Sequence, residues 1–162
     1  MSLINHRRRS ARWHGASQKV GQSAAPLFLD RIDIQCEISP VPFQDISKAA
    51  PGEPSAKIRE RVIKAREVQA ERFNDYKGIH CNAQMTERMI HQFAEPDEQG
   101  IELIRMAMEK LSLSARAYNR ILKVARTIAD LAGSEQIKPD HIAEAVGYGT
   151  LDRGDWAERG HL

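Results

Sequence analysis

The twenty residues SARAYNRILKVARTIADLAG (114–133) decide the fold class. Tyr118, Ile121, Leu122, Ala125, Ile128 and Ala129 recur at three- and four-residue steps, which lines them up on one side of an α-helix. Ser114 stands where an N-cap hydroxyl accepts an orphan backbone N–H, and Gly133 where a left-handed residue ends a helix. A stripe this wide must be buried against other helices, and both flanks supply them.

Downstream, the turn GSEQIKP (133–139) places Pro139 at the favoured first position of a last helix, DHIAEAVGY. Upstream, Asp97 caps a helix carrying Ile101, Ile104, Met108 and Leu111, which breaks at LSLS (111–114). Before it, Thr86 caps a short helix with Met89, Ile90 and Phe93 that stops by Pro96, and a loop covers 76–84. A long amphipathic helix, SAKIRERVIKAREVQAERF (55–73), begins with Ser55 as N-cap and turns Ile58, Val62, Ala65, Val68 and Phe73 to the core. The spacing thus predicts a mainly α domain of about five helices over 55–153, followed by a tail at 154–162.

The N-terminal third differs. PVPFQDISKAAPGEPS (40–55) holds four prolines and a glycine, so 40–54 is expected to be an extended linker. In LFLDRIDIQCEI (27–38), Ile32, Ile34, Cys36 and Ile38 alternate with Asp33, Gln35 and Glu37, the period of a strand with one buried face. A strand at 27–39 needs a neighbour to satisfy its backbone, so it is expected to be an orphan whose sheet lies elsewhere. Residues 1–26 are expected to be a disordered basic arm or a leader foreign to the native protein. Residues 1–29 hold Arg7, Arg8, Arg9, Arg12 and Lys19 and no acid, leaving 19 basic against 22 acidic residues in the rest, a net charge of −3.

At 162 residues, 41% hydrophobic and 28% charged, the composition is that of a soluble globular protein with one domain core. No apolar run of membrane-spanning or signal-peptide type appears, so a cytoplasmic location and no membrane partner are expected. Cys36 and Cys81 are too few for a disulfide framework and lack metal-site spacing. His80, Cys81 and His91 form no ligand pattern, and no metal is expected in this chain. GxSxG and HExxH signatures are absent from the sequence, as is a phosphate-cradling GxxxxGKS or GxxxxGKT loop.

Three stretches together resemble one family. LFLDRIDIQCEI is similar to the LLDRIDI segment of Mg-chelatase-like AAA+ proteins, and IRERVIKAREVQAERF to their IRERV helix. LSARAYNRILKVARTIADLAGSEQIKPDHIAEAVGYGTLDR (113–153) resembles their C-terminal block and is the most specific of the three. The resemblance covers 27–153 and is nearest to the competence-associated ComM type. It departs from the family at GQSAAP, before the strand, and at GYGT, where the family tends to carry a basic residue near LDR.

The resemblance implies a helical AAA+ C-terminal lid domain, preceded by the last strand of a nucleotide-binding domain that is missing here. Arg31 matches the family's arginine-finger position, acting in trans, with Asp30 placed to orient its guanidinium by a charge-assisted bond. Arg116 matches the lid arginine called sensor 2, which touches the nucleotide of its own subunit. Arg120, one turn on, is a secondary interface candidate, and Lys123 a solvated side chain. ATP and Mg2+ are implied for the intact protein and neither for this fragment, which is expected to be inactive alone. The implied partners are the missing AAA+ core, neighbouring subunits of a homo-oligomeric ring, six in number as the resemblance implies, and DNA. In ComM-type members the work on DNA is branch migration during recombination. Two alternatives stand: the ATPase subunit of a magnesium chelatase, and a stand-alone helix-turn-helix DNA-binding module built on the LSLS turn.

Overall fold

The computed structural model describes residues 32–36, 38, 40–41 and 51–149. The chain divides after Asp33, and nearly every described residue belongs to the second unit, Ile34–Leu162. Of the first unit only Ile32 and Asp33 are described, without regular structure. Five α-helices form among the described residues: α1 (Ser55–Arg72), α2 (Glu87–Phe93), α3 (Glu98–Leu111), α4 (Ala115–Leu131) and α5 (Pro139–Gly149). A 3-10 turn at Asn82–Gln84 precedes α2. None of these helices is long and apolar enough to cross a membrane.

The helix-start signals act as chemistry requires. The Asp97 side chain accepts from Gly100 N at 2.7 Å, and Ser114 Oγ accepts from Ala117 N at 3.3 Å. Pro139 is the first residue of α5. Gly133 adopts φ +66°, while Ser134 N donates to Ala129 O at 2.8 Å, closing α4 in a left-handed cap. Ser55 differs: Pro54 occupies the N-cap of α1, Ser55 is the first helical residue, and no side chain caps that end. Thr86 is the N-cap of α2 by backbone, but its hydroxyl makes no capping bond.

The core gathers around α4. Ile121, Leu122, Ala125 and Ala129 are buried with Ile90 of α2, Ile104 and Ala107 of α3, and Ile142, Ala145 and Val146 of α5. Each fully buried Ile, Leu or Val contributes roughly 1.5–3 kcal/mol by leaving water. Phe73, Tyr76 and Phe93 meet edge to face, with ring centroids 5.7–6.5 Å apart, and seal the lower corner. Gly100 is a close-approach position: a Cβ there would stand 2.8 Å from Pro96 Cβ and 3.5 Å from Ile142 Cγ1, so α3 meets α5 across a bare backbone.

Two expectations fail in part. The α1 stripe reaches the core only at Ala65 and Phe73, with Gln69 buried between them, while Ile58, Val62 and Val68 are 41–44% exposed. Amphipathic spacing reports that a helix has an apolar face, not that the same molecule covers it. The strand expected at 27–39 is not formed at its described positions 32–36, and Ile34 and Ile38 are exposed. A strand needs a paired neighbour, and the described residues supply only the isolated bridge Pro96–Ile137. Gln35 N instead donates to Tyr148 O at 2.9 Å. The arm at 1–26, most of the linker and the tail at 154–162 lie outside the described residues.

Candidate functional site

Arg116 sits in the first turn of α4, two residues after the Ser114 cap, and is exposed. That turn contains no acid, unlike those of α2, α3 and α5, which carry Glu87, Glu98 and Asp140. A helix N-terminus already bears a partial positive charge, and a cation placed on it costs a few tenths to about 1 kcal/mol. The α4 N-terminus is therefore an electropositive end with an exposed guanidinium, an arrangement that suits an anionic group and gains nothing for stability. Arg120 follows one turn later. It is half-buried, and its guanidinium lies against the α5 C-terminus, with Nη2 3.5 Å from the position a Cβ would take on Gly149. The negative end of α5 favours a cation there. Arg31 and Asp30 lie outside the described residues.

The far end of α4 carries a polar cluster that the sequence reading passed over. Asp130, with a fully buried side chain, accepts from Arg72 Nη2 at 2.6 Å and Nη1 at 2.8 Å, from Asn82 Nδ2 at 2.7 Å and from Arg126 Nε at 3.0 Å. Arg126, only 3% exposed, spends its other donors on the carbonyls of Glu135 and Ser134, each at 2.6 Å. Burial pushes the Asp130 carboxyl up, but the bonds from Arg72 and Asn82 and the two guanidinium charges outweigh it, so the group is held below the ordinary aspartate range. Burial pulls the Arg126 guanidinium down, and the Asp130 charge opposes that only in part.

The cluster ties four pieces of chain to one another: α1, the 82–84 turn, α4 and the loop into α5. Lys123 reinforces it. Its Nζ, at the exposed surface, donates to Ala83 O at 2.9 Å. The signal for the cluster was present in sequence as Arg126 and Asp130, four residues apart and next to the buried Ala125 and Ala129. Arg72, 58 positions from Asp130, gave no such signal.

Val68, Arg72, Phe93, Arg126, Asp130 and Ser134 help line a groove of about 390 Å³ over this cluster. A second groove, of about 530 Å³, lies between Asp75–Ile79 and α2. Arg116 lines neither. His80, Cys81 and His91 are not brought together: the His80 backbone N–H and the Cys81 thiol both turn to Gln84 Oε1, at 2.7 and 3.6 Å. Among the described residues no three His, Cys, Asp or Glu side chains converge.

Comparison with known proteins matches residues 52–149 to the family described as the C-terminal part of the magnesium chelatase subunit ChlI. The competence protein ComM of Haemophilus influenzae is 41% identical over 127 residues, 78% of this chain and 24% of that protein. The uncharacterized protein YifB of Escherichia coli is 41% identical over the same length, and the uncharacterized protein Rv2897c of Mycobacterium tuberculosis 32% identical over 129 residues. The chain spans about a quarter of the length of these relatives.

Proposed function

Because the chain belongs to the magnesium chelatase ChlI C-terminal family, in its ComM-like branch, we propose that it is the helical lid of a ring-forming AAA+ ATPase that couples ATP hydrolysis to work on DNA in the cytoplasm. The observation that carries this reading is Arg116, held exposed on the acid-free first turn of α4. It supplies a guanidinium to the phosphates of a nucleotide bound mainly by the missing core. Those phosphates are polyanionic, and a cation on a helix N-terminus is a fitting contact for them. The phosphate-binding loop and the carboxylates for Mg2+ belong to that core, since this sequence has no GxxxxGKS or GxxxxGKT loop.

Arg31 reaches the nucleotide of the neighbouring subunit and stabilises charge on the transferred phosphoryl group, with Asp30 orienting it. Arg120, settled against α5, holds the Arg116 end of α4 in place. Buried residues along the whole length of α4 and its packing on α1 and α5 favour a lid over a helix-turn-helix, whose recognition helix must leave a face free for a DNA groove. A chelatase subunit would share the ATPase parts, and DNA stimulation separates the two.

The test uses the full-length protein. Two inactive variants, one lacking the core's magnesium-binding carboxylate and one carrying Arg31→Ala, are mixed and DNA-stimulated ATP hydrolysis is measured. Recovery of activity is expected, because each subunit repairs what its neighbour lacks. Arg116→Ala should lower turnover about a thousandfold, in the range of an arginine acting on phosphoryl transfer, while leaving the fold intact. Wild-type activity in both arginine variants, or hydrolysis indifferent to DNA, overturns the reading.

A further inference from the structure

The first half of α1 stands clear of the body. Residues 51–64 are all exposed, and the first buried residue is Ala65. Helical periodicity puts Ile58, Val62, Ala65 and Gln69 on one seam, so the two exposed residues extend N-terminally the face whose other two are buried. Arg59 and Arg66 flank this seam on one side and Arg61 on the other. Within 55–66, Arg61 is paired with Glu53 and Lys64 with Glu60, which leaves Lys57, Arg59 and Arg66 as the positive charge this face presents. An apolar strip framed by arginines is half of an interface.

The other half is on the same molecule. Across the start of α3, Asp97 caps the helix and Glu102 is paired with Arg105, which leaves Glu95 and Glu98 as the acids this end presents, and beside them Ile101 is 49% exposed. An exposed isoleucine beside Glu95 and Glu98 complements exposed Ile58 and Val62 beside Arg59 and Arg66, in both charge and apolarity. The two surfaces lie on different elements and are unlike. A contact between copies through them is therefore heterologous, head to tail, the kind that closes into rings or runs on as filaments.

We propose that the exposed N-terminal half of α1 docks on the acidic start of α3 of a second copy of this chain. The contact is carried by these two surfaces alone and needs neither nucleotide nor the missing core. It adds to the ring reading a named pair of surfaces between neighbours.

The test is self-association of the 162-residue chain, measured by sedimentation in low salt and again at high salt. Two variants are made: one with Arg59→Glu and Arg66→Glu, the other with Glu95→Lys and Glu98→Lys. Far-UV circular dichroism checks that each remains helical. The wild type should associate at low salt and weaken as salt screens the pairing. Each variant alone should associate at least about tenfold more weakly, because like charges now face each other. Mixed, the variants should recover association, since each reversed surface meets its complement on the other.

A wild type that stays monomeric at low salt overturns the proposal. So does a mixture without recovery, or loss confined to the α1 variant, which would mean that α1 pairs with α1. None of these results depends on ATP hydrolysis, so failure here is distinct from failure of the ATPase reading.

Discussion

Replacing Asp130 with alanine removes the carboxylate shared by Arg72 and Arg126 and should be the most damaging single change in the described domain. Four hydrogen bonds end on it, from Arg72 Nη1 and Nη2, Asn82 Nδ2 and Arg126 Nε, and its side chain is fully buried. Without it, Arg126 stays 96% buried at its side chain with only neutral carbonyls as partners, and the like charge of Arg72 faces it unscreened. Breaking one partner out of a buried ion pair costs about 3–5 kcal/mol, chiefly because the remaining charge is stranded. For a helical body of this size, each kcal/mol lowers Tm by about 4–8 °C, so a drop of about 12 °C or more is expected.

Thermal and urea unfolding followed by circular dichroism at 222 nm reads this directly. Asp130→Asn, which keeps the shape and loses the charge, should fall between wild type and Asp130→Ala. A loss below about 1 kcal/mol for Asp130→Ala would refute the reasoning, because it would mean that water or a neighbouring group replaces the carboxylate at no cost.

Two further outcomes follow from the same geometry. Because the folded Asp130 carboxyl is held below its ordinary range, its contribution is fully present above the unfolded aspartate value near pH 4 and is lost as pH falls through the lower folded value. The wild type should therefore lose stability on acidification below about pH 4, and the Asp130→Asn variant should show a shallower acid limb in pH-dependent urea midpoints. Gly100→Ala should destabilise by about 1 kcal/mol in the same unfolding assay, since the clash with Pro96 Cβ exceeds the gain of about 1 kcal/mol in helix propensity; a more stable variant would show that α3 can shift away from Pro96.

What the sequence made legible was local. Asp97, Ser114, Gly133 and Pro139 act through bonds or dihedral angles within a few residues of themselves, and each sits where its chemistry predicts. The α4 stripe was legible because its helix is surrounded, so every apolar position found a neighbour. The α1 stripe obeyed the same periodicity and yet Ile58 and Val62 stayed exposed, because periodicity carries no information about what a face will meet. Of the candidate site, the position of Arg116 was readable from the cap two residues before it. The Arg72–Asp130–Arg126 cluster was not, because its partners converge across 58 positions and a charged residue in an amphipathic helix looks the same whether it faces water or a buried carboxylate.

The clamp falls at one extremity of α1, on its last residue, Arg72. α1 is packed from Ala65 onward, so the ten residues Ser55–Lys64 project about 15 Å beyond the attached half at 1.5 Å per residue. A tilt of roughly 10° in α4, transmitted through the packed half of α1 and the guanidinium–carboxylate joint, would swing the free tip by about 3 Å by the same helix geometry. Leverage of this kind would turn a small reorientation of the core into a displacement of the exposed tip comparable to a side-chain contact distance.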